Sequence, residues 1–149
     1  MSKKIKILIA AGGTGGHVFP GSNLAAFLIK KNYSVKLALD KRGYKYLDNL
    51  KKFDISILPS SPLESKNFFK LLKSFILVSY SVVRSLVFLM LNRPTLIFGM
   101  GGYASFPICF AANLLRIKFI IYENNLILGK ANKYLLPFAQ NIIVSSKNL

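Results

Sequence analysis

AGGTGGHVFPG, residues 11–21, decides how this chain reads. It follows a short apolar run, IKILIAA at 5–11, that has the length of a buried strand. Four glycines in five residues, Gly12, Gly13, Gly15 and Gly16, let the backbone turn tightly and approach a ligand closely. Backbone N–H groups at the start of a following helix favour a phosphate or diphosphate. Thr14 adds a hydroxyl, and Pro20 suits a first helical turn. The spacing is not the Gly-x-Gly-x-x-Gly of dinucleotide-binding domains, and the Lys-Ser/Thr of a P-loop is missing. The bland alternative is a tight strand-to-helix turn with no ligand. His17 is the chain's one histidine. Inside such a loop it can donate to an oxyanion or take a proton from a hydroxyl, although a lone histidine is often a structural hydrogen-bonding residue.

Outward from that loop, short apolar runs alternate with segments able to form helices. The runs at 5–11, 34–39, 54–58, 95–98, 118–122 and 141–144 predict strands. Several are apolar on consecutive residues, which means burial on both faces and a parallel sheet covered by helices. Helices are expected over 21–31, 44–52, 66–92 (in one or two pieces), 103–115 and 130–138. The fold class is therefore α/β, a doubly wound, Rossmann-like parallel sheet forming one domain over 1–149. Ligands of such sheets bind beyond the carboxyl ends of the strands.

Two more unusual segments fall at strand ends. Gly99-Met100-Gly101-Gly102-Tyr103-Ala104-Ser105 is a second glycine loop ahead of a helix. Gly101, Gly102 and Tyr103 are candidate ligand contacts, while Gly99 and Gly101 can equally be small to allow helix–strand packing. Glu123-Asn124-Asn125, with Asn132 further on, places amides where sugar hydroxyls can be bound. Asn125 is expected to touch ligand and Glu123 to hold the loop.

The composition narrows the partners. Apolar residues make up 52% of the chain and charged ones 17%, with 21 Lys and Arg against 5 Asp and Glu. A chain both basic and apolar fits an anionic membrane surface better than nucleic acid, for which no recognition motif is present. Cys109 stands alone in an apolar run and reads as a buried thiol in a reducing compartment. The basic then apolar start reads as a first strand, not a signal peptide, because it runs straight into the glycine loop. The five acids and one histidine are scattered, so neither a metal nor a cofactor is called for.

Within residues 66–92, KNFFKLLKSFILVSYSVVRSLVFLMLN, the stretch 74–91 is nearly long enough to span a bilayer. Arg84 in its middle costs about 2.5–3.5 kcal/mol on insertion scales. At about 100° per residue, Lys66, Lys70, Lys73, Ser74, Ser81, Arg84, Ser85 and Asn92 share a face, interrupted by Leu77 and Phe88. The expectation is an interfacial helix that packs on the sheet on one side. Lys70, Lys73, Leu77, Arg84 and Phe88 would touch the bilayer.

GGTGGHVFPG, FGMGGYASFP and YENNLILGKANKYL together resemble the N-terminal domain of the MurG family of peptidoglycan GlcNAc transferases. The resemblance runs from about residue 5 to 148 and implies the N-terminal half of a two-domain GT-B glycosyltransferase. It implies inverting transfer of GlcNAc from UDP-GlcNAc to undecaprenyl-diphosphate-MurNAc-pentapeptide, at the cytoplasmic face of a bacterial membrane. It also implies that Thr14, Gly15 and Gly16 approach the donor or a diphosphate and that Asn125 lies on the donor-sugar side. His17, Tyr103 and Asn132 become polar cleft residues, with His17 a candidate base. Where the family usually has His-Glu-Gln-Asn, this chain reads Tyr122-Glu123-Asn124-Asn125. The C-terminal domain or subunit that holds most of UDP-GlcNAc is expected to lie outside these 149 residues. Two competing readings are a non-catalytic membrane anchor that recruits a separate transferase subunit, and a dinucleotide-binding oxidoreductase using Asp40 as its ribose-binding acid.

Overall fold

The computed structural model describes residues 4–47, 52–62 and 68–145. Six strands, β1 (Lys6–Ala11), β2 (Ser34–Leu39), β3 (Asp54–Ile57), β4 (Leu96–Gly99), β5 (Phe119–Glu123) and β6 (Asn141–Val144), form one parallel sheet in the order β3-β2-β1-β4-β5-β6. The helices between them are α1 (Gly15–Lys30), α2 (Lys41–Tyr44), α3 (Phe68–Asn92), α4 (Gly102–Leu114) and α5 (Lys130–Leu135), followed by a 3-10 turn at Leu136–Phe138.

Alternation along β1 divides the core between two faces. Ile7, Ile9 and Ala11 point to the α1 side, where they meet Ala25, Leu37, Leu39 and Met100. Leu8 and Ala10 point the other way, toward Ile108, Ala111 and Ala112 of α4, Leu89 of α3 and Leu135 of α5. Burial on both faces is why the central strands β1, β4 and β5 are apolar on consecutive residues, while β6 at the sheet edge is exposed. The chain runs β1 to β3 toward one edge and β4 to β6 toward the other. The loops after β1 and β4 therefore diverge to opposite faces and leave a crevice at the centre of the carboxyl rim.

Several boundaries differ from those read from the sequence. Helix α1 starts at Gly15, six residues before the expected start at 21, so Pro20 lies inside the helix and not in its first turn. The expected helix start at 44 is instead the last residue of the short α2, which Asp40, just after β2, caps by accepting from Gly43 N at 2.7 Å. Residues 48–51 of that expected helix lie outside the described residues.

Helix α3 also corrects its expected face. Ser81 and Ser85 are buried against the domain, their hydroxyls donating to the carbonyls of Leu77 and Ser81 at 2.8 Å each. A serine that satisfies its hydroxyl on the helix's own backbone can be buried as a small residue, and it allows close approach to α4. Phe88 is half-buried and packs on the core, so it is not among the exposed apolar side chains; Leu77 is exposed. Lys70, Lys73 and Arg84 are exposed as expected, and Lys66 lies outside the described residues. The outward surface is instead apolar: Phe69, Leu72, Ile76, Val83 and Val87 are all exposed. Among the described residues α3 is the one helix long and apolar enough to cross a bilayer, with a mean hydropathy of 1.9 over its best 18 residues.

Cys109 is fully buried, and burial pushes its thiol up to about 12. A Cβ on Gly99 would lie 2.7 Å from its Sγ, so glycine at the end of β4 sets how closely α4 approaches the sheet. Gly99→Ala is expected to lower the unfolding free energy by about 1–3 kcal/mol in urea denaturation. Adding Cys109→Ala should recover most of that loss. A double variant no more stable than Gly99→Ala alone would place the strain elsewhere.

Candidate functional site: two glycine turns joined by a histidine

The turns after β1 and β4 touch. Gly101 and Gly102 have φ of +90° and +73°, which a side chain rarely adopts. A Cβ on Gly101 would lie 3.0 Å from His17 Cε1, and one on Gly102 would lie 3.0 Å from His17 Cδ2 and 3.5 Å from the Gly12 carbonyl. The imidazole, in the first turn of α1, thus rests on bare backbone of the second loop. Met100 N donates to Ala10 O at 2.8 Å, carrying the β1–β4 pairing up to the loops.

Both helices that leave these loops carry a proline as their sixth residue, Pro20 in α1 and Pro107 in α4. Proline has no N–H for the carbonyl four residues back. In α1 that carbonyl belongs to Gly16, and it accepts from Asn124 Nδ2 at 3.5 Å. The first glycine turn is thereby tied to the loop after β5.

Two buried carboxylates hold the loops. Asp40 Oδ1 accepts from Gly13 N at 2.9 Å as well as from Gly43 N, and its Oδ2 accepts from Ser60 Oγ at 3.0 Å and Arg42 Nε at 3.3 Å. This carboxylate is committed to shaping the first loop, which removes the observation behind the ribose-binding reading. Burial pushes Asp40 up, but the two N–H groups, the hydroxyl and the guanidinium outweigh it and hold the carboxyl below its ordinary value. Glu123, likewise buried, accepts from Asn125 N, Asn125 Nδ2, Gly129 N and Asn132 Nδ2 at 2.8–3.0 Å. Its carboxyl is also held low, burial raising it and the N–H groups of Gly129 and Asn125 and the two amides prevailing. Glu123 is a loop-holding residue, as the sequence reading has it.

Around these supports lies a cleft of about 240 Å³, lined by His17, Gly102, Tyr103, Asn125, Lys130 and Asn132 among others. His17, Gly102, Tyr103, Asn125 and Asn132 are thus brought together. Thr14 and Gly16 are exposed beside the cleft at the start of α1, and Gly15 packs near Phe19 and Tyr46. Gly101 is buried beneath His17 and does not line the cleft. Asn132 is almost fully buried, its amide donating to Tyr122 O and to Glu123. Its Oδ1 and His17 Nδ1 are buried with no hydrogen-bond partner among the described residues. Both residues line the cleft, so two unmet polar atoms lie within its wall. The first turns of α1 and α4 hold no acidic residue, so two helix N-termini add partial positive charge there. The arrangement suits a diphosphate beside a hydroxylated group. Sequence reasoning missed Arg42 and Lys130, and it weighed Asp40 only for another role; Asp40 follows a strand and stands three residues before Gly43, the one signal of its capping role.

The sign of the pH dependence follows from the lowered carboxyls. Their stabilisation is complete above about pH 4, the unfolded carboxylate value, and is lost as pH falls through the lower folded values. Asp40→Asn is therefore expected to destabilise the chain by about 1–3 kcal/mol at pH 7, with the gap to the parent closing toward pH 3. A gap independent of pH in thermal melts would show that charge is not what Asp40 contributes.

Residues 7–144 match the glycosyltransferase family 28 N-terminal domain. The chain is 35% identical over 144 residues to the UDP-N-acetylglucosamine–N-acetylmuramyl-(pentapeptide) pyrophosphoryl-undecaprenol N-acetylglucosamine transferase of Pelagibacter ubique, covering 97% of the chain and 40% of that protein. It is 42% identical over 147 residues to the enzyme of the same name from Protochlamydia amoebophila, covering 95% and 38%. The crystal structure of Acinetobacter baumannii MurG superposes with a TM-score of 0.79 at 23% identity, over 98% of this chain and 43% of that one. The chain thus spans about two-fifths of the length of these relatives. Its sheet is that of the N-terminal half of a GT-B glycosyltransferase. On these matches the chain belongs to the glycosyltransferase family 28 N-terminal domain family, in its MurG-like branch.

Proposed function

We propose that this chain is the acceptor-side half of an inverting transferase. It moves GlcNAc from UDP-GlcNAc to undecaprenyl-diphosphate-linked MurNAc-pentapeptide at the cytoplasmic face of the membrane. The observation that carries the reading is the joint between the glycine turns: His17 lies against Gly101 and Gly102 at the edge of a cleft with two orphan polar atoms. The relatives' activity supplies the substrates.

In this reading the diphosphate lies at the first turns of α1 and α4, where backbone dipoles face charge without reorganising. Thr14, Gly15 and Gly16 face the donor or a diphosphate, and Asn125 faces the donor sugar. His17 takes the proton of the acceptor hydroxyl as that oxygen attacks the anomeric carbon and UDP departs. A C-terminal GT-B domain or subunit forms the opposite wall, because both substrates must share one cleft for the displacement. The exposed apolar surface of α3, with Lys70, Lys73 and Arg84 along it, lies on an anionic bilayer.

Two measurements test this. The 149-residue chain alone is expected to transfer no GlcNAc from UDP-GlcNAc, while mixing it with the C-terminal half of the Pelagibacter ubique relative restores turnover. His17→Ala in that mixture should lower kcat by about 10²–10⁴. Turnover by the chain alone removes the need for a second wall; restored turnover that His17→Ala leaves unchanged removes the base. In liposome flotation, changing Lys70, Lys73 and Arg84 to Glu should abolish binding to anionic vesicles. Undiminished flotation would rule out the α3 contact. Vesicle binding that persists with no turnover in any mixture would instead favour a non-catalytic anchoring subunit.

A further inference from the structure

A second hollow adjoins the polar cleft and differs from it in chemistry. It measures about 420 Å³ and lies between α3, α4 and α5, walled by Val78, Phe106 and Tyr134. Tyr103, Lys130 and Ala131 line both hollows. One end of the pair is therefore amide, imidazole and backbone dipole, the other is hydrocarbon, and a lysine stands at the junction.

The apolar end is a formed groove. Val78 is buried in the packing of α3, and Phe106 is half-buried and stacked on Phe110 with centroids 5.8 Å apart. Beyond Val78 the same side of α3 continues with Leu71 and Phe75, seven and three residues back, both exposed. Polar cleft, apolar groove and exposed apolar helix surface thus follow one another. A sugar nucleotide is polar throughout and has nothing to place in the groove. A prenyl diphosphate is charged at one end and hydrocarbon from its first carbon onward.

The geometry points to the groove between α3, α4 and α5 as the seat of the first isoprene units of a polyprenyl diphosphate whose diphosphate lies in the polar cleft. This rests on the reading of the cleft given above and extends it. The part of the tail nearest the reacting sugar is held by protein and enters the bilayer only further along.

Calorimetric titration of the chain with inorganic diphosphate and with dimethylallyl, geranyl and farnesyl diphosphates tests it. Affinity should rise by about tenfold per isoprene unit while the tail remains inside the groove. Tyr134→Glu places a charge at an exposed wall position, since Tyr134 is 71% exposed, and Ser61→Phe fills the groove without charge. Either should remove the gain from the tail and leave inorganic diphosphate binding intact. Phe27→Ser, at an exposed position of α1 outside both hollows, should change neither. Equal affinity for inorganic and farnesyl diphosphate overturns the groove assignment while leaving the cleft reading standing. So does a tail gain that survives both groove variants. Failure of every diphosphate to bind at millimolar concentration overturns the cleft reading and the groove with it.

Discussion

The His17 imidazole stands so close to the backbone of Gly101 and Gly102 that a methyl group on either would lie 3.0 Å from the ring and make it shift. That contact makes one site out of two loops. The loops belong to β1 and β4, which are neighbours at the point where the chain reverses its direction across the sheet. Strand pairing brings the loops to the same rim, and the interlock of ring and bare backbone closes the last distance. A side chain at either glycine would push the imidazole away and alter the mouth of the cleft. The glycines of the second loop are therefore explained by a residue of the first, more than eighty positions earlier in the chain.

The same rim shows how a strongly basic chain uses its few acids. Asp40 and Glu123 each stand at the end of a strand and gather loop N–H groups around the carboxylate, Glu123 those of its own loop and Asp40 those of Gly43 and of the distant Gly13. Charge-assisted bonds of this kind are stronger than neutral ones and fix a loop that has no core of its own. Both carboxylates are saturated by those bonds. They place no unscreened negative charge toward the cleft, whose first helical turns remain electropositive. Loops held by carboxylates and a rim free of unscreened negative charge follow from one arrangement.

The layered fold and the glycine turns at strand ends were legible because both depend on local signals. Unbroken apolar runs of strand length mark two-sided burial, and clustered glycines mark turns. The roles of Glu123 and Cys109 were legible for similar reasons. What was hidden depends on long-range partners. Asp40 looks like any strand-end acid until Gly13 is brought to it from 27 residues away. Helix α1 begins inside its glycine loop because His17 N and Val18 N both bond to Thr14 O, a geometry that glycine's poor helix propensity does not announce. On α3 the serines misled the reading: periodicity sorts residues by polarity, yet what faces α4 is sorted by size. Ser81 and Ser85 went inward because they are small and self-satisfied, beside Val78 and Leu89, while Phe69, Ile76 and Val83 were left outside.

That inversion gives α3 two unlike edges. Along one, Val78, Leu71 and Phe75 continue the groove that borders α4 and α5. Along the other, Tyr80 and Arg84 border a hollow of about 540 Å³ shared with Lys41 and Arg42. Between them runs the exposed apolar face of Ile76, Val83 and Val87. On the proposed reading a bilayer meets the middle face, anionic headgroups gather at the basic edge, and a lipid-linked substrate leaves the membrane at the hydrocarbon edge. Arg42 belongs to both sides of this division, since it also bonds the carboxylate that shapes the first glycine turn. On that reading the surface offered to lipid and the first glycine turn are linked through two side chains, Arg42 and Asp40.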